Sequence, residues 1–486
     1  MGTILGSLQP AALWNHFEEI CKIPHPSKHE EKLREFIVAW AKGLDLKPVV
    51  DEVGNVIIRK PATKGMENRK GIILQGHLDM VPQKNSDIPH NFEKDPIVPW
   101  IDGEWVKAKG TTLGADNGIG VAAAMAVLEA KNLVHGQVEA LFTIDEETGM
   151  TGAFGLKSGL LTGDILMNLD SEDEGELYVG CAGGTNANIK FKYATESVPA
   201  GSEAFKVSVT GLKGGHSGVD IALERGNSNK IINRILWFAH KNFGLRLVFI
   251  EGGTLRNAIP RESFAVVTIP KDKIAAFNKF VEEFRTIVVN EYKGVETDIK
   301  ITLEKVSVPA NVIDLRTTFN FLNAIYATPN GVIRDSQDMK GLVETSTNLA
   351  IIKSQNNEII VQCLLRSSVD SAKDDLERMI ESVYNIAGAE SVFDGKYPGW
   401  KPNMASPILK EMLAAYEKQF GNKPKIAAIH AGLECGLLGG VYKNFDMISF
   451  GPTIRFPHSP DEKVNIASVK KFWDFLVETL KNAPKK

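Results

Sequence analysis

The sequence predicts an α/β fold: a discontinuous main domain, built on a mixed, mostly parallel sheet with flanking helices, and an inserted α+β domain. The first observation is that short apolar runs alternate with helical patterns between residues 72 and 169, an order typical of parallel sheets. The second is a change after about residue 184 to alternating strands and glycine-rich loops, with a return to the first pattern near Tyr397. We therefore expect residues 1–185 and 397–486 to form the main domain and residues 186–396 the insertion.

Composition narrows the class of protein. A chain of 486 residues is too long for one hydrophobic core. It is 43% hydrophobic and 24% charged with a net charge of −4, so nothing indicates a nucleic-acid partner. No apolar run approaches the ~18 residues of a membrane span, and the N-terminal segment lacks a signal-peptide pattern. The four scattered cysteines form no C-x-x-C pair, so a cytoplasmic protein without membrane contact is expected.

The elements of the main domain follow from local patterns. Apolar residues at helical spacing predict helices over 11–23 and 30–44, and the turn pairs Gly54-Asn55 and Asp102-Gly103 predict hairpins. Apolar runs predict strands at 72–74, 138–144, 165–169, 425–430 and 446–450, and helices are predicted at 121–130, 405–420 and 466–481.

The insertion is predicted to be a sheet covered by helices. Helices are expected at 227–242, 273–292, 315–327 and 372–387, with strands at 205–209, 245–269, 298–306, 347–354 and 358–366. The order of elements partly repeats, which suggests two related halves.

The stretch Gly71–Val81 joins a buried strand to two side chains suited to a metal site. His77 and Asp79 follow the apolar run with one residue between them, so an extended chain places both on one face. A metal-binding histidine usually donates its second ring N–H to a carboxylate or carbonyl. Taken alone, a structural His/Asp pair explains the stretch equally well.

Further acidic residues lie where other predicted elements begin or end. Glu146 and Glu147 follow one strand, Asp170 follows another, and Asp116 precedes the Ala-rich helix. A solvated acidic turn or a helix-capping aspartate explains each member separately. Because the carboxyl ends of parallel strands meet at one sheet edge, we expect the whole set to gather there with His77.

A late loop contributes His458, which completes a set of two histidines and three carboxylates if the segments converge. Such a set suits divalent ions such as Zn, Mn or Co. Five ligands are too many for one tetrahedral zinc but suit two ions about 3.5 Å apart that share a carboxylate. Glu146 is then available to accept a proton from the attacking water, and the predicted chemistry is hydrolysis of an amide or similar carbonyl.

Two residues of the insertion are candidates for contacts with substrate. His216 lies in the glycine-rich loop 211–218 and is able to donate a hydrogen bond to an oxyanion; an ordinary surface histidine is the alternative. Arg366 ends an apolar strand and is able to bind a carboxylate; a structural ion pair is equally compatible with the sequence.

The motifs, in their order, resemble those of the dinuclear zinc aminopeptidase, carboxypeptidase and aminoacylase family over nearly the full length. They are GHLDMV (76–81), GADNGIG (114–120), DEETG (145–149), NLDSE (168–172), GGHSG (214–218), NAIPR (257–261) and the late His458. The segments LDSEDEGELYVGCAGG and HAGLECG look like those of the bacterial aminoacyl-histidine dipeptidases within that family. Asn117 departs from the pattern, since many relatives carry aspartate there.

The resemblance implies a ligand arrangement. One metal would be held by His77, Asp116 and Asp170, and the other by Asp116, Glu147 and His458, so that Asp116 bridges them. It also implies a cis peptide bond between Asp116 and Asn117.

The resemblance also implies the remaining roles. Asp79 would orient His77, and Glu146 would be the general base. His216 and Asn257 would contact substrate or the transition state, in many relatives across a dimer formed by the inserted lid domain. Arg366 would bind the substrate's terminal carboxylate, and Glu434 is a further substrate-binding candidate.

Together with the residues above, the resemblance implies a cytoplasmic, homodimeric dipeptidase that uses two divalent ions, foremost zinc, to hydrolyse Xaa-His and related dipeptides such as β-alanyl-histidine. A tripeptidase or an N-acyl-amino-acid deacylase would use the same metals with a different pocket. A binding protein that retains the fold is the non-enzymatic alternative, and the presence of Glu146 beside a full ligand set argues against it.

Overall fold

The computed structural model describes residues 4–486, so Met1–Thr3, part of the N-terminal segment considered above, lie outside the described range. The described residues form two compact units. Unit 1 comprises the residues up to Gly180 with Pro402–Ala428 and Leu433–Lys486, and unit 2 comprises Cys181–Lys401 with Ile429–Gly432. The second unit thus begins and ends within a few residues of the predicted insertion and also takes in a short late segment.

The N-terminal part of unit 1 contains α1 (Ala11–Cys21), α2 (Glu31–Gly43), β1 (Val49–Val50), β2 (Val56–Lys60), β3 (Ile72–His77), β4 (Pro99–Asp102), β5 (Trp105–Ala108), α3 (Ala115–Glu129), β6 (Val138–Thr143), α4 (Glu146–Gly149), α5 (Thr151–Gly155), β7 (Ile165–Asn168) and β8 (Glu176–Cys181). With the later strands β22 (Lys425–Ile429) and β23 (Asp446–Ser449), the unit forms an eight-stranded sheet of the described residues, in the order β1-β2-β6-β3-β7-β23-β8-β22. The central strands β6, β3, β7 and β23 are parallel, and antiparallel pairs flank them. The sheet is therefore mixed with a parallel centre, as predicted.

The elements of unit 2 are β9 (Gly183–Lys192), β10 (Thr195–Ser197), β11 (Ser202–Thr210), β12 (Gly215–His216), α6 (Ser228–Phe243), β13 (Arg246–Gly252), β14 (Ala258–Ile259), β15 (Ser263–Pro270), α7 (Ile274–Tyr292), β16 (Lys300–Val306), β17 (Asn311–Ile313), α8 (Leu315–Ala327), β18 (Gly331–Asp335), β19 (Val343–Gln355), β20 (Glu358–Ser367), α9 (Asp370–Ile386) and β21 (Glu390–Tyr397). Nine of the strands form an antiparallel sheet among the described residues, in the order β16-β11-β15-β13-β19-β20-β9-β21 with β18 beside β19. Helices α6 and α7 pack on one half of this sheet, and α9 packs on the other.

The chain completes unit 1 with α10 (Pro407–Phe420), β22 (Lys425–Ile429), α11 (Glu434–Val441), β23 (Asp446–Ser449), β24 (Ile454–Arg455), β25 (Lys463–Asn465) and α12 (Ile466–Lys481). Strand β3 is buried at every position, because it lies between β6 and β7 and both faces are covered. Among the described residues, no helix has the length and apolarity that crossing a bilayer requires.

Candidate functional site

His77 ends the central strand β3 with its ring buried and fixed in orientation. Its Nδ1 lies 2.9 Å from the backbone oxygen of Asp79, and donating to that oxygen leaves Nε2 as the outward-facing nitrogen. Nε2 lies 3.1 Å from Asp116 Oδ1 and 3.3 Å from Asp170 Oδ1. Three potential metal ligands from three separate segments therefore meet at the carboxyl end of the parallel strands.

Asp116 presents its two carboxylate oxygens to two different histidines. Oδ1 lies 3.1 Å from Nε2 of His77, and Oδ2 lies 3.2 Å from Nε2 of His458. Asp116 and Asn117 have non-helical backbone angles at the start of α3, and the peptide bond between them is cis, which confirms the expectation from the resemblance. A carboxylate between two histidines in this way is suited to bridge two cations.

Glu147 and His458 complete a second group of ligand atoms. Glu147 Oε1 lies 3.0 Å from His458 Nε2. The ligand atoms of His77, Asp116 and Asp170 all lie within 4.8 Å of one another, as do those of Asp116, Glu147 and His458. The structure thus brings together the five residues in the two groups that the resemblance implies, with Asp116 shared.

The chemistry of this donor set fits divalent cations. Glu147 Oε1 and Asp170 Oδ1 are buried carboxylate oxygens whose contacts with His458 Nε2 at 3.0 Å and His77 Nε2 at 3.3 Å lack hydrogen-bond geometry, which is costly unless another group binds them. Burial raises the pKa of Asp170 to about 7, and the contacts with Asp116 and Glu147 raise the pKa of His458 to about 11. The crowded carboxylates thus need nearby positive charge, which bound protons supply when no cation is present. Nitrogen and oxygen ligands of this kind suit zinc or manganese.

Asp79 holds both His77 and the segment that carries the two glutamates. Its carboxylate accepts the backbone N–H of Glu146 at 2.9 Å and that of Glu147 at 3.2 Å. Ser27 Oγ donates to the same carboxylate at 2.8 Å. Burial opposes ionisation of Asp79, but His77 and these donors outweigh it and lower the pKa to about 2. Sequence reasoning missed Ser27, because a serine in an N-terminal loop carries no spacing that relates it to residue 79.

Glu146 lies at the edge of the ligand set. One of its carboxylate oxygens is within 4.8 Å of ligand atoms of His77 and Glu147. Burial raises the pKa of Glu146 well above its ordinary value, and the negative charges of Asp170 and Glu434 add to the shift against the charge of His77. A carboxylate with a raised pKa beside a cation site has the properties of a general base.

Glu434 lies inside unit 1 and is only 1% exposed. Its Oε2 accepts hydrogen bonds from Gln75 Nε2 at 2.5 Å and Thr143 Oγ1 at 2.8 Å. Both donors belong to the strands that carry the site, so these contacts support the sheet from within. The substrate-binding role predicted for Glu434 gains no support from them.

Unit 2 brings His216 and Asn257 together. Strand β12 pairs with β14 so that His216 faces Ala258, and the N–H of Ser217 donates to the backbone oxygen of Asn257 at 2.8 Å. His216 Nδ1 accepts the N–H of Gly218 at 3.2 Å and of Val219 at 3.0 Å, so Nε2 carries the ring hydrogen. Burial and the charge of Arg366 lower the pKa of His216, which leaves a neutral hydrogen-bond donor.

Arg366 in β20 is 5% exposed, and among residues 4–486 no carboxylate lies within ion-pair distance of it. Its Nη1 donates to the Tyr397 hydroxyl at 3.3 Å, whereas Nε is buried without a hydrogen-bond partner. The alternative of a structural ion pair is therefore not realised. A buried guanidinium without a counter-charge is suited to bind an anion such as a carboxylate.

The chain is similar to known peptidases over almost its whole length. The chain is 50% identical over 482 residues to the cytosol non-specific dipeptidase of Escherichia coli (strain K12), and the match covers 99% of both chains. The crystal structure of aminoacylhistidine dipeptidase from Vibrio alginolyticus superposes with a TM-score of 0.96 at 51% identity, over 99% of this chain and 98% of that one. Aminopeptidase PepT from Bacillus cereus ATCC 10987 shares the fold, with a TM-score of 0.58 at 17% identity over 98% of this chain and all of that one.

The resemblance inferred from the motifs is thereby confirmed at the level of the family. Residues 73–482, most of the chain, match the sequence profile of Peptidase family M20/M25/M40. The chain belongs to this peptidase family.

Proposed function

We propose that the protein is a dipeptidase that hydrolyses Xaa-His and related dipeptides, including β-alanyl-histidine, with two divalent ions. The observation that carries the proposal is the pair of three-residue groups that share Asp116. The names of the Escherichia coli and Vibrio alginolyticus relatives support a dipeptide substrate.

His77, Asp116 and Asp170 would hold one ion, and Asp116, Glu147 and His458 the other. When bound, the ions supply Lewis-acid polarisation of the scissile carbonyl and lower the pKa of water. Glu146 accepts a proton from the attacking water and returns it to the leaving amine nitrogen. Asp79 holds the peptide N–H groups of Glu146 and Glu147, which orients base and ligand together.

Substrate contacts are proposed for unit 2. The neutral ring of His216 would donate to the oxyanion, Asn257 would add a second contact, and Arg366 would bind the terminal carboxylate of the dipeptide. We also propose that zinc is the native metal, with manganese or cobalt as substitutes, and that the protein is a cytoplasmic homodimer. The relative named for the cytosol supports the location, and the molar mass in solution tests the dimer.

The first experiment measures bound metal and carnosine hydrolysis before and after chelation. We expect about two ions per chain, with activity lost on chelation and restored by zinc or manganese. Hydrolysis of tripeptides or acyl-amino acids but not of dipeptides would replace the proposed substrate. Two bound ions without any hydrolysis would point to a binding protein.

A pair of variants tests the shared carboxylate. Asp116→Asn should lose both ions, because each group of ligands depends on this residue. Asp170→Asn should retain the ion held by Asp116, Glu147 and His458. Equal metal content in the two variants would contradict the bridging role.

A further inference from the structure

One buried carboxylate of unit 1 accepts four consecutive backbone N–H groups. Oε2 of Glu462 lies 2.7 Å from the nitrogen of Leu113 and 3.0 Å from that of Gly114. Oε1 lies 2.8 Å from the nitrogen of Ala115 and 3.3 Å from that of Asp116. Glu462 is 2% exposed, so water does not replace these bonds.

The loop that Glu462 holds leads into helix α3, and this loop provides no side-chain cap for the helix. Helix α3 begins after Gly114, which is in the left-handed region with φ of 72° and provides no side-chain cap. The first N–H groups of a helix lack partners within the helix and carry partial positive charge. Of the four N–H groups that the Glu462 carboxylate binds, those of Ala115 and Asp116 belong to the first turn of α3, and those of Leu113 and Gly114 precede it. Glu462 reaches them from a segment more than 340 residues away along the chain.

Glu462 joins the two chain segments that carry opposite ligands of the second group. It follows His458 by four residues, and its side chain holds the backbone of Asp116, whose Oδ2 lies 3.2 Å from His458 Nε2. The arrangement places another buried carboxylate beside Asp116, an electrostatic cost that a neutral capping residue would avoid. Its benefit is therefore expected at the site rather than in general stability.

We infer that Glu462 is a positioning residue that fixes Asp116 and His458 relative to each other, so that both oxygens of Asp116 are presented to cations. The inference rests on the proposed function, in which Asp116 bridges two ions. Glu462 itself is assigned no contact with substrate.

The test is Glu462→Gln, in which the amide NH₂ meets backbone N–H groups that need an acceptor. Removing a partner of this kind typically weakens metal binding 10–100-fold. Chelator competition with zinc and with manganese should show this loss in the purified full-length chain. The kcat at limiting metal should fall, and excess metal should restore most of it, which a purely structural defect would not permit.

Glu139→Gln is the matched control. Glu139 is also a buried carboxylate of unit 1, and both its oxygens accept the N–H of Thr162 at 3.1 Å. It lies near the start of β6, whereas the ligand-bearing loop follows the end of that strand. This variant should lose stability without losing metal affinity.

The inference is overturned if Glu462→Gln binds both ions as the wild type does, or if Glu139→Gln weakens binding equally. Should the glutamine variant fail to fold, Glu462→Asp, which keeps the charge on a shorter side chain, is compared instead, and unchanged affinity again overturns the inference. If the wild type binds two ions but cleaves no dipeptide, the proposed function fails, while the affinity comparison still tests Glu462.

Discussion

Glu146 and Glu147 are adjacent in the chain yet have different surroundings. Asp79 accepts both of their N–H groups, which directs the two side chains from one rigid turn. Glu147 contacts His458 through Oε1 at 3.0 Å, whereas Glu146 has a raised pKa caused first by burial. These surroundings support the proposed roles of Glu147 as a metal ligand and Glu146 as the general base.

Glu146→Gln should therefore keep both ions and lose turnover. A positioned general base typically contributes 10²–10⁴-fold, so kcat should fall by about that factor. Metal content and kcat are measured on the same sample. Glu147→Gln is the control and should lose metal as well as activity; metal loss in Glu146→Gln would instead make this residue a ligand.

His430 allows a prediction for acid stability that does not involve the metal ligands. Its ring is 6% exposed in unit 2, and Nε2 lies 2.7 Å from Ser346 Oγ. Burial, with the positive charge of Arg366, lowers its pKa from 6.5 to about 3. The unfolded chain therefore binds a proton below about pH 6.5 that the folded protein rejects until about pH 3.

The contribution of His430 to stability should be fully present above pH 6.5 and should fall with pH between 6.5 and about 3. The expected loss is about 1.4 kcal/mol per pH unit. Urea unfolding of metal-free wild type and of His430→Gln at several pH values measures the contribution of His430 to the free energy of unfolding. Parallel pH dependence of the two proteins would show that His430 does not contribute.

At the scale of elements, β3 and α3 approach closely at Gly76. A Cβ atom on residue 76 would lie 2.2 Å from Asn117 Oδ1, and Asn117 is held by its amide, which donates to Leu169 O at 2.8 Å. Gly76 is buried and Asn117 is only 2% exposed, so the surrounding residues leave the Asn117 side chain little room to move. This close approach explains why the residue between Gln75 and His77 is a glycine.

Gly76→Ala should destabilise metal-free protein by about 1–3 kcal/mol through overpacking and should weaken metal binding by displacing Asp116 or His77. Urea unfolding and chelator competition measure the two effects. Gly43→Ala is the control, because nothing lies within 4 Å of a Cβ at the end of α2. Equal results for the two variants would mean that the close approach is not needed.

Helices that begin directly after a capping residue in the sequence were predictable. Helices α8 and α12 have the predicted bounds, since Asp314 and Asn465 cap their first turns through bonds to Thr317 N at 2.8 Å and Ser468 N at 2.9 Å. Helix α3 was expected from Val121 but begins at Ala115. The first turn of α3 contains glycines and polar residues, which are not typical of a helix. The local sequence also lacks a capping residue, because the cap comes from Glu462 rather than from the preceding residues.

At the scale of the molecule, the prediction of the site depended on which of its residues have a recognisable pattern in a single sequence. The proximity of the five proposed ligands was predictable because four of them follow strands or precede a helix that a parallel sheet must bring to one edge. Ser27, Gln75 and Glu462 were not, since each acts through contacts between distant segments. In the sequence, Glu462 belongs to a charged stretch typical of an exposed turn, although it is buried.

All five proposed ligands belong to unit 1, and unit 2 has its own sheet and apolar core. Ions that bind only the folded site should therefore stabilise unit 1 selectively, by about 2.7 kcal/mol when free metal exceeds the dissociation constant a hundredfold. Chelation should increase amide hydrogen exchange in β3, β6 and β7 and leave exchange in β19 and β20 nearly unchanged. In Asp116→Asn, chelation should have little further effect, because the shared ligand is already absent. An equal increase in both sheets would mean that metal binding supports the chain as one cooperative whole.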